Sequence, residues 1–162
     1  MKLQNIEFIL SNISGNWISQ RTTYSIKTQE IKIAKLQNKI ELIKSKEINK
    51  KYTNKLNYLI SYYYQCYPIN EQKIIYNYYI THTTPLFIQG IIRKEQKNVF
   101  KEYNFIFKKR YLKVTHSDNK INYTEYIYFI NSKFYMSIIL IKSNNSYVAI
   151  SFHSDIKINI KS

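Results

Sequence analysis

The chain has 162 residues, of which 44% are hydrophobic and 16% aromatic. This composition excludes a disordered protein, and the length suits one domain, predicted over residues 1–162, whose core needs no disulfide or metal. The net charge of +15 favours acidic partners. The lysines are scattered along the chain and no nucleic-acid-binding motif accompanies them, so the charge alone does not predict a nucleic-acid-binding protein. No apolar run reaches the roughly 18 residues of a membrane span.

The first half of the chain predicts two helices and a hairpin. Apolar residues at helical spacing predict a short N-terminal helix that ends at Ser14 and Gly15. Residues 15–36 predict a long strand, Asn38 and Lys39 a turn, and residues 40–46 the returning strand of the hairpin. Residues 47–64 return to helical spacing and predict a second helix that ends before Pro68.

The second half predicts strands joined by short polar turns, two of them at residues 117–120 and 143–146. The predicted strands are residues 73–81, 86–93, 98–107, 110–115, 122–130, 133–142 and 147–158. Such a series favours an antiparallel meander, and closure into a barrel would remove its exposed edges. The expected fold class is therefore mainly β, a meander barrel with the N-terminal helix and one helix inserted after the first hairpin.

The strand that begins at Gly15 carries the most informative face. Side chains alternate along a strand, so Trp17, Ser19, Arg21 and Thr23 share one side. A large aromatic residue, hydroxyl groups and a forked cation on one face suit a barrel that holds a ligand better than one filled by side chains. Trp17 itself is expected in the core.

Metal and thiol chemistry find little support in the sequence. Cys66 is the only cysteine and has no neighbouring His or Lys to activate it, so we interpret it as a structural thiol in a reducing compartment. His82, His116 and His153 lack metal-ligand spacing with other donors, so no metal site is predicted.

Residues 15–22, Gly-Asn-Trp-Ile-Ser-Gln-Arg-Thr, resemble the Gly-x-Trp-x-Ser-Gln-Arg-Thr pattern of the S-type phycobiliprotein lyases, the CpcS/CpeS family of lipocalin-like bilin lyases. Residues 124–129 resemble that family's Glu-Glu-Arg-Leu-Trp-Phe segment, and residues 151–157 its closing Ser-Phe-Cys-Ser-Glu-Ile-Arg. Between these two segments, Tyr135 and Ser137 stand where the family has arginines. Residues 76–79 stand at its Arg-Val-Ser-Trp, and there we assign Tyr78 to ligand stacking.

The resemblance implies a lipocalin-like barrel that binds a phycobilin, phycocyanobilin or phycoerythrobilin, as a substrate and not as a permanent cofactor. It implies an enzyme that promotes thioether formation between this bilin and a cysteine of a phycobiliprotein subunit. Arg21 would grip a propionate, while Glu125 and Asp155 would accept pyrrole N–H bonds and favour a cationic bilin. Further ligand contacts are expected from Ser19, Tyr78, Tyr135, Ser137 and Ser151.

Each of these roles has a simpler alternative. Arg21 could belong to a structural salt bridge at the barrel mouth, and Glu125 could be a solvated hairpin residue. Because Tyr135 and Ser137 replace arginines, the chain could instead be a non-catalytic carrier of a bilin or another amphipathic ligand. A basic barrel that binds single-stranded nucleic acid is a second alternative.

Partners and location follow from the same resemblance. The acceptor would be apo-phycocyanin, apo-allophycocyanin or apo-phycoerythrin, and both homo- and hetero-oligomers stay open. The abundance of Lys, Ile, Asn and Tyr, whose codons are A/T-rich, and the absence of transit-peptide character favour a plastid-encoded protein of the chloroplast. The alternative location is the cytoplasm of a cyanobacterium.

Overall fold

The computed structural model describes residues 12–43, 60–68, 75–82, 89–97, 99–108 and 110–159. In these residues the chain forms ten antiparallel strands. They are β1 (Gly15–Ser25), β2 (Glu30–Ile43), β3 (Ile60–Pro68), β4 (Tyr76–His82), β5 (Gln89–Gln96), β6 (Val99–Lys108), β7 (Tyr111–Ser117), β8 (Ile121–Asn131), β9 (Phe134–Ser143) and β10 (Ser146–Ile158).

The strands form one closed ring in which each strand pairs with its neighbour in sequence. The first and last strands complete the ring, since β1 pairs with β10 from Asn16 opposite Ile158 to Ser25 opposite Ala149. Closure leaves no strand edge unpaired, which is how an all-antiparallel meander satisfies its backbone groups. The predicted fold class, a lipocalin-like meander barrel, is confirmed.

The first hairpin turns earlier than predicted. Its turn occupies residues 26–29, with Gln29 at a φ of 56°, so the predictions of one strand over residues 15–36 and of a turn at Asn38 and Lys39 are wrong. Asn38 and Lys39 continue the β2 ladder, and the Asn38 side chain donates to Ser19 Oγ at 3.4 Å. Asn38, whose residue type is common in surface turns, here points inward and donates a hydrogen bond.

The predicted second helix is wrong for residues 60–64, which belong to β3. The run Ile-Ser-Tyr-Tyr-Tyr is rich in residues that favour strands, and its backbone pairs with both β2 and β4. Pairing on both sides outweighs an apolar spacing that also fits a helix. Cys66, which follows the predicted helix, also lies in this strand. Residues 47–59 lie outside the described residues, as does the N-terminal helix apart from its end, where residue 12 is helical.

The later turns agree with their sequence signals. Asn144 and Asn145 have φ values of 48° and 64°, the left-handed pair that a tight two-residue hairpin requires. Asp118 Oδ1 accepts the backbone N–H groups of Lys120 and Ile121 at 2.9 and 2.8 Å. These turns set the register of β7 with β8 and of β9 with β10, and with it the inward face of those strands.

The tightest part of the core lies on one side of the barrel. Phe105 is 1% exposed and packs with the buried side chains of Ile80, Leu112 and Val114. Trp17, on β1, is 3% exposed, and its indole N–H donates to the Ile13 carbonyl at 2.8 Å, in agreement with its predicted core position. Within the described residues, no helix has the length and apolar character to cross a membrane.

Candidate functional site

The barrel encloses a cavity of about 360 Å³, within the range of about 300–1,000 Å³ in which proteins hold small organic ligands. Two walls of different chemistry line it. The polar wall comprises inward side chains of β1, β9 and β10, namely Ser19, Arg21, Tyr135, Ser137, His153 and Asp155. The apolar wall comprises inward side chains of β4 to β7, namely Tyr78, Ile80, Ile92, Tyr103, Phe107, Leu112 and Val114. This division suits an amphipathic ligand.

Strand register arranges the polar wall in two rows. The first row crosses β1, β10 and β9 as Ser19, Asp155 and Tyr135. The second row, two residues along each strand, consists of Arg21, His153 and Ser137. Residues directly opposite on antiparallel strands have Cβ atoms about 5 Å apart, so each row is a continuous line of polar groups.

Asp155 is the buried acid of this wall. It is 6% exposed, accepts a hydrogen bond from Ser19 Oγ, and has a second side-chain hydrogen bond with Tyr135. Burial raises the pKa of the Asp155 carboxyl above its ordinary value, while the hydrogen bonds from Ser19 and Tyr135 oppose that rise. A cationic group placed beside Asp155 would therefore stabilise the carboxylate that burial disfavours.

Arg21 lines the cavity from β1, yet its side chain is exposed. No carboxylate in the described part of the chain forms a salt bridge with it, so the structural ion pair considered above has no partner among those residues. Contact with solvent stabilises the guanidinium without a counter-ion. Arg21 can therefore meet an anionic ligand group without first breaking an ion pair to those carboxylates.

His153 lies opposite Arg21 in the second row. Burial, and then the Arg21 charge, lowers the pKa of His153 to about 4, so the imidazole is neutral at physiological pH. Its Nε2 lies 3.1 Å from Ser151 Oγ, which in turn lies 2.7 Å from Thr23 Oγ1. These contacts fix the ring on the polar wall as a neutral hydrogen-bonding group.

Glu125 lies on β8, beside the polar wall. The Tyr123 hydroxyl donates to Glu125 Oε2 at 2.6 Å, and Glu125 is partly buried in the cavity lining. Glu125 is thus no solvated hairpin residue. Burial, followed by the charge of Glu125, raises the pKa of both Tyr123 and Tyr103, so both phenols stay protonated and can donate.

An aromatic group closes the cavity at its β1, β8 and β9 side. The Trp17 and Tyr135 ring centroids lie 5.0 Å apart, and Tyr135 lies 6.0 Å from Phe129. Lys157 Nζ covers the Trp17 ring at 5.6 Å and donates to the Asn12 carbonyl at 2.8 Å. The ring planes are tilted by 60° between Trp17 and Tyr135 and by 45° between Phe129 and Tyr135, and together the rings give an apolar surface next to the carboxyl of Asp155.

A search of protein-family models finds no match for this chain. A curated chromophore lyase CpcS/CpeS homolog from the red alga Gracilaria tenuistipitata var. liui is 36% identical over 152 residues, which cover 93% of this chain and 95% of the relative. The chain belongs to the CpcS/CpeS chromophore lyase family. The resemblance in the sequence segments is thereby confirmed over nearly the whole chain.

Solved structures support the barrel of this CpcS/CpeS family member. The S-type phycobiliprotein lyase CpeS from Guillardia theta matches with a TM-score of 0.68 at 12% identity, over 97% of this chain and 94% of that chain. A protein of unknown function from the DUF3598 family of Nostoc punctiforme matches with a TM-score of 0.59 at 11% identity, over 92% of this chain and 49% of that chain. At such identities the likeness concerns the fold alone.

In this CpcS/CpeS family member, seven of the eight predicted site residues line the cavity: Arg21, Ser19, Tyr78, Glu125, Tyr135, Ser137 and Asp155. The eighth, Ser151, is 4% exposed and lies farther along β10, where it contacts Thr23 and His153. Their positions are those of one site, and their roles stay predictions.

The lining also contains polar residues for which no site role was predicted, among them His153, Tyr123 and Lys94. Strand parity assigns His153 to the face of Asp155 and Tyr123 to that of Glu125. Lys94 gave no such signal, because its strand has charged residues on both faces. Among the described residues, no group of three His, Cys, Asp or Glu side chains could hold a metal ion.

Proposed function

We propose that this chain is a bilin lyase that binds a phycobilin in the barrel and promotes its covalent attachment to a cysteine of a phycobiliprotein subunit. Membership of the CpcS/CpeS family supports this activity, and the fold that the chain shares with the phycobiliprotein lyase from Guillardia theta agrees with it. One observation carries the proposal: the polar wall, with Arg21 and the buried Asp155, faces an apolar and aromatic wall across the cavity. An open-chain tetrapyrrole has propionates and pyrrole N–H groups that suit the polar wall and rings that suit the apolar wall.

The reaction needs no oxidant, reductant or nucleophile from the lyase. The acceptor thiol adds across the ethylidene double bond of the bilin, so that a C–S bond forms, the carbon–carbon double bond is consumed, and the thiol proton ends on the tetrapyrrole. The enzyme's contribution is to hold one bilin conformation, to exclude wrong additions and to favour the protonated, electrophilic chromophore. Side chains of the cavity can supply all three contributions.

The acids of the site would act on the bilin N–H groups. Asp155 loses hydration on burial, an effect that the hydrogen bonds from Ser19 and Tyr135 and the Arg21 charge oppose, and a cationic bilin would supply a further counter-charge. Glu125, held by Tyr123, would present a second acceptor from β8. Two carboxylates near one tetrapyrrole would stabilise its protonated form, which is the form that a thiolate attacks.

The remaining side chains would orient the substrate. Arg21 can bind a propionate bidentately from the exposed side of the polar wall. Tyr135 and Tyr78 offer ring faces to the pyrroles from opposite walls. Ser19 would hold Asp155 in place through their hydrogen bond. Ser137, which is 2% exposed, would leave room for the ligand because its side chain is small. Ser151 would support His153.

The acceptor would be a phycocyanin, allophycocyanin or phycoerythrin subunit, with phycocyanobilin or phycoerythrobilin as the substrate. The relative from a red alga supports a plastid location, with the cyanobacterial cytoplasm as the alternative. The net charge of +15 would assist encounter with an acidic acceptor.

The test is co-expression of the chain with a bilin-producing pathway, with and without each apo-subunit. We expect zinc-fluorescent label on one acceptor that survives denaturation and depends on this chain. Arg21→Gln should lower the label and weaken bilin binding by about tenfold or more, the effect of losing a charge-assisted hydrogen bond. Arg110→Gln removes the same charge from an exposed turn outside the cavity lining and should change neither.

Tyr135 and Ser137 on β9 are uncharged where the family has arginines, and this supports a second candidate function, a bilin carrier without lyase activity. A carrier would copurify with bilin but leave every acceptor unlabelled. If the chain neither labels an acceptor nor binds bilin in the same cells, both functions are wrong.

A further inference from the structure

Two side chains with a permanent positive charge line the cavity in the described part of the chain, Arg21 and Lys94. Arg21 belongs to the polar wall, whereas Lys94 extends from β5 among the side chains of the apolar wall. Lys94 is partly buried there, and tyrosine ring faces stabilise a cation in such surroundings. It places a positive charge on the side of the cavity whose other lining groups are apolar or aromatic.

The two cations lie nearly across the barrel from each other. Around the ring, β5 is four strands from β1 in one direction and six in the other. Ten tilted strands about 4.8 Å apart form a barrel with a backbone diameter on the order of 20 Å. Arg21 and Lys94 therefore approach a ligand from different sides and cannot be expected to share one small anionic group.

Contacts with two tyrosines hold Lys94 in place. Its Nζ lies 4.1 Å from the ring centroid of Tyr76 and 5.5 Å from that of Tyr78, and Lys94 is directly opposite Tyr78 in the β4–β5 ladder. Lys101 lies opposite Lys94 on β6, which adds positive charge at this place. A ring stacked on Tyr78 would bring its carboxylate substituent next to Lys94.

We propose that Lys94 binds the second carboxylate of the linear tetrapyrrole, the one that Arg21 does not bind. This inference rests on the proposed function, which supplies a ligand with two propionates. One propionate is held by Arg21 on β1 and the other by Lys94 on β5. The pair fixes the rotation of the ligand in the barrel, and so decides which end ring faces the acceptor.

The test uses biliverdin and its dimethyl ester as probes, with quenching of the single tryptophan, Trp17, which lines the cavity, as the readout. Lys94→Gln should weaken biliverdin binding by about tenfold or more, the effect expected for a charge-assisted hydrogen bond. Lys94→Arg should keep most of the affinity. The ester has no anionic carboxylates, so the wild type and Lys94→Gln should bind it equally.

The matched control is Lys142→Gln. Lys142 Nζ lies 4.4 Å from the Tyr147 ring, so this variant also removes a lysine that contacts a tyrosine ring, but from a residue outside the cavity lining. Its affinity for biliverdin should equal that of the wild type. In Arg21→Gln/Lys94→Gln, the two losses of affinity should multiply, because each cation binds its own carboxylate.

Three results would overturn the inference alone. The first is an unchanged biliverdin affinity in Lys94→Gln while Arg21→Gln binds biliverdin more weakly. The second is an equal loss of affinity for biliverdin and for its ester in Lys94→Gln. The third is a double variant that binds biliverdin no more weakly than Arg21→Gln does. A wild type that binds neither biliverdin nor phycocyanobilin would overturn the proposed function, and this inference with it. Equal thermal unfolding of all variants shows that the comparison is between folded proteins.

Discussion

His153 gives the stability of the barrel a pH dependence that a single substitution should remove. Burial and the Arg21 charge lower the pKa of His153 from its ordinary value of 6.5 to about 4. Between these two values the unfolded chain binds more protons at this residue than the folded protein does. The contribution of His153 to the free energy of unfolding is therefore fully present above pH 6.5 and is lost as the pH falls towards 4.

The magnitude follows from the two pKa values. Linkage between an unfolded value of 6.5 and a folded value of about 4 corresponds to about 2 kcal/mol between pH 8 and pH 5. The ring is only about half buried, so solvent screening reduces the effect, and we expect about 1 kcal/mol. His153→Gln keeps a polar side chain on β10 but cannot take up a proton.

The assay is urea unfolding of the wild type and His153→Gln between pH 8 and pH 5. The free energy of unfolding of the wild type, relative to that of the variant, should fall by about 1 kcal/mol over this range. Taking the difference cancels the titration of other groups, including Asp155. His116→Gln, on β7, controls for the removal of an imidazole elsewhere. A difference that stays flat, or that rises as the pH falls, would refute the assignment of a half-buried, neutral imidazole.

Three further predictions concern the core, the strand start and the buried acid. Phe105→Ala should cost about 3–5 kcal/mol in urea unfolding, because the ring is 1% exposed; Phe100→Ala, at 47% exposed, should cost much less, and similar losses would contradict the described core. Gly15 has a φ of +139°, so Gly15→Ala should lose about 1–3 kcal/mol. The added Cβ would also meet the Lys157 side chain. If backbone strain is the cause, Gly15→Ala should cost the same in a Lys157→Ala background, where that side chain is shortened. Burial raises the pKa of Asp155, so wild-type stability relative to Asp155→Asn should fall as the pH rises from 4 to 8, and a relative gain would show that the carboxylate is stabilised in the fold.

Alternation along strands predicted the polar wall well. Once Trp17 is assigned to the interior, parity alone assigns Ser19, Arg21 and Thr23 to the same face, and the structure brings all of them to the inner surface. The period of a strand is two residues, so an assigned position determines the rest. Sequence resemblance then supplied Asp155, which pairs with Ser19 across the closed ring.

The failures have physical causes of their own. Residues 26–29, Ile-Lys-Thr-Gln, form a turn without the Gly, Pro or Asn that usually indicates one. The apolar residues of β3 fit the helical and the strand period equally, and pairing with two neighbours decided between them. Lys94 belongs to the site only because the ring places β5 across from β1, which no local pattern contains.

The polar wall joins the two ends of the described chain. Its hydrogen bond from Ser19 to Asp155 connects residues 136 positions apart, whereas every other strand pair of the ring consists of sequence neighbours. Closing a loop of this length costs more chain entropy than closing a hairpin. Strands β2 to β9 could thus associate while β1 and β10 are still apart.

In that order of events, the complete polar wall would form only when β1 pairs with β10. A chromophore that bridges β1 and β10 binds the closed ring and not the open sheet, so it would shift the equilibrium towards closure by mass action. It would act chiefly on the rate at which the seam between the first and last strands reopens. In the cell, the supply of bilin would then govern the lifetime of the folded lyase as well as its activity.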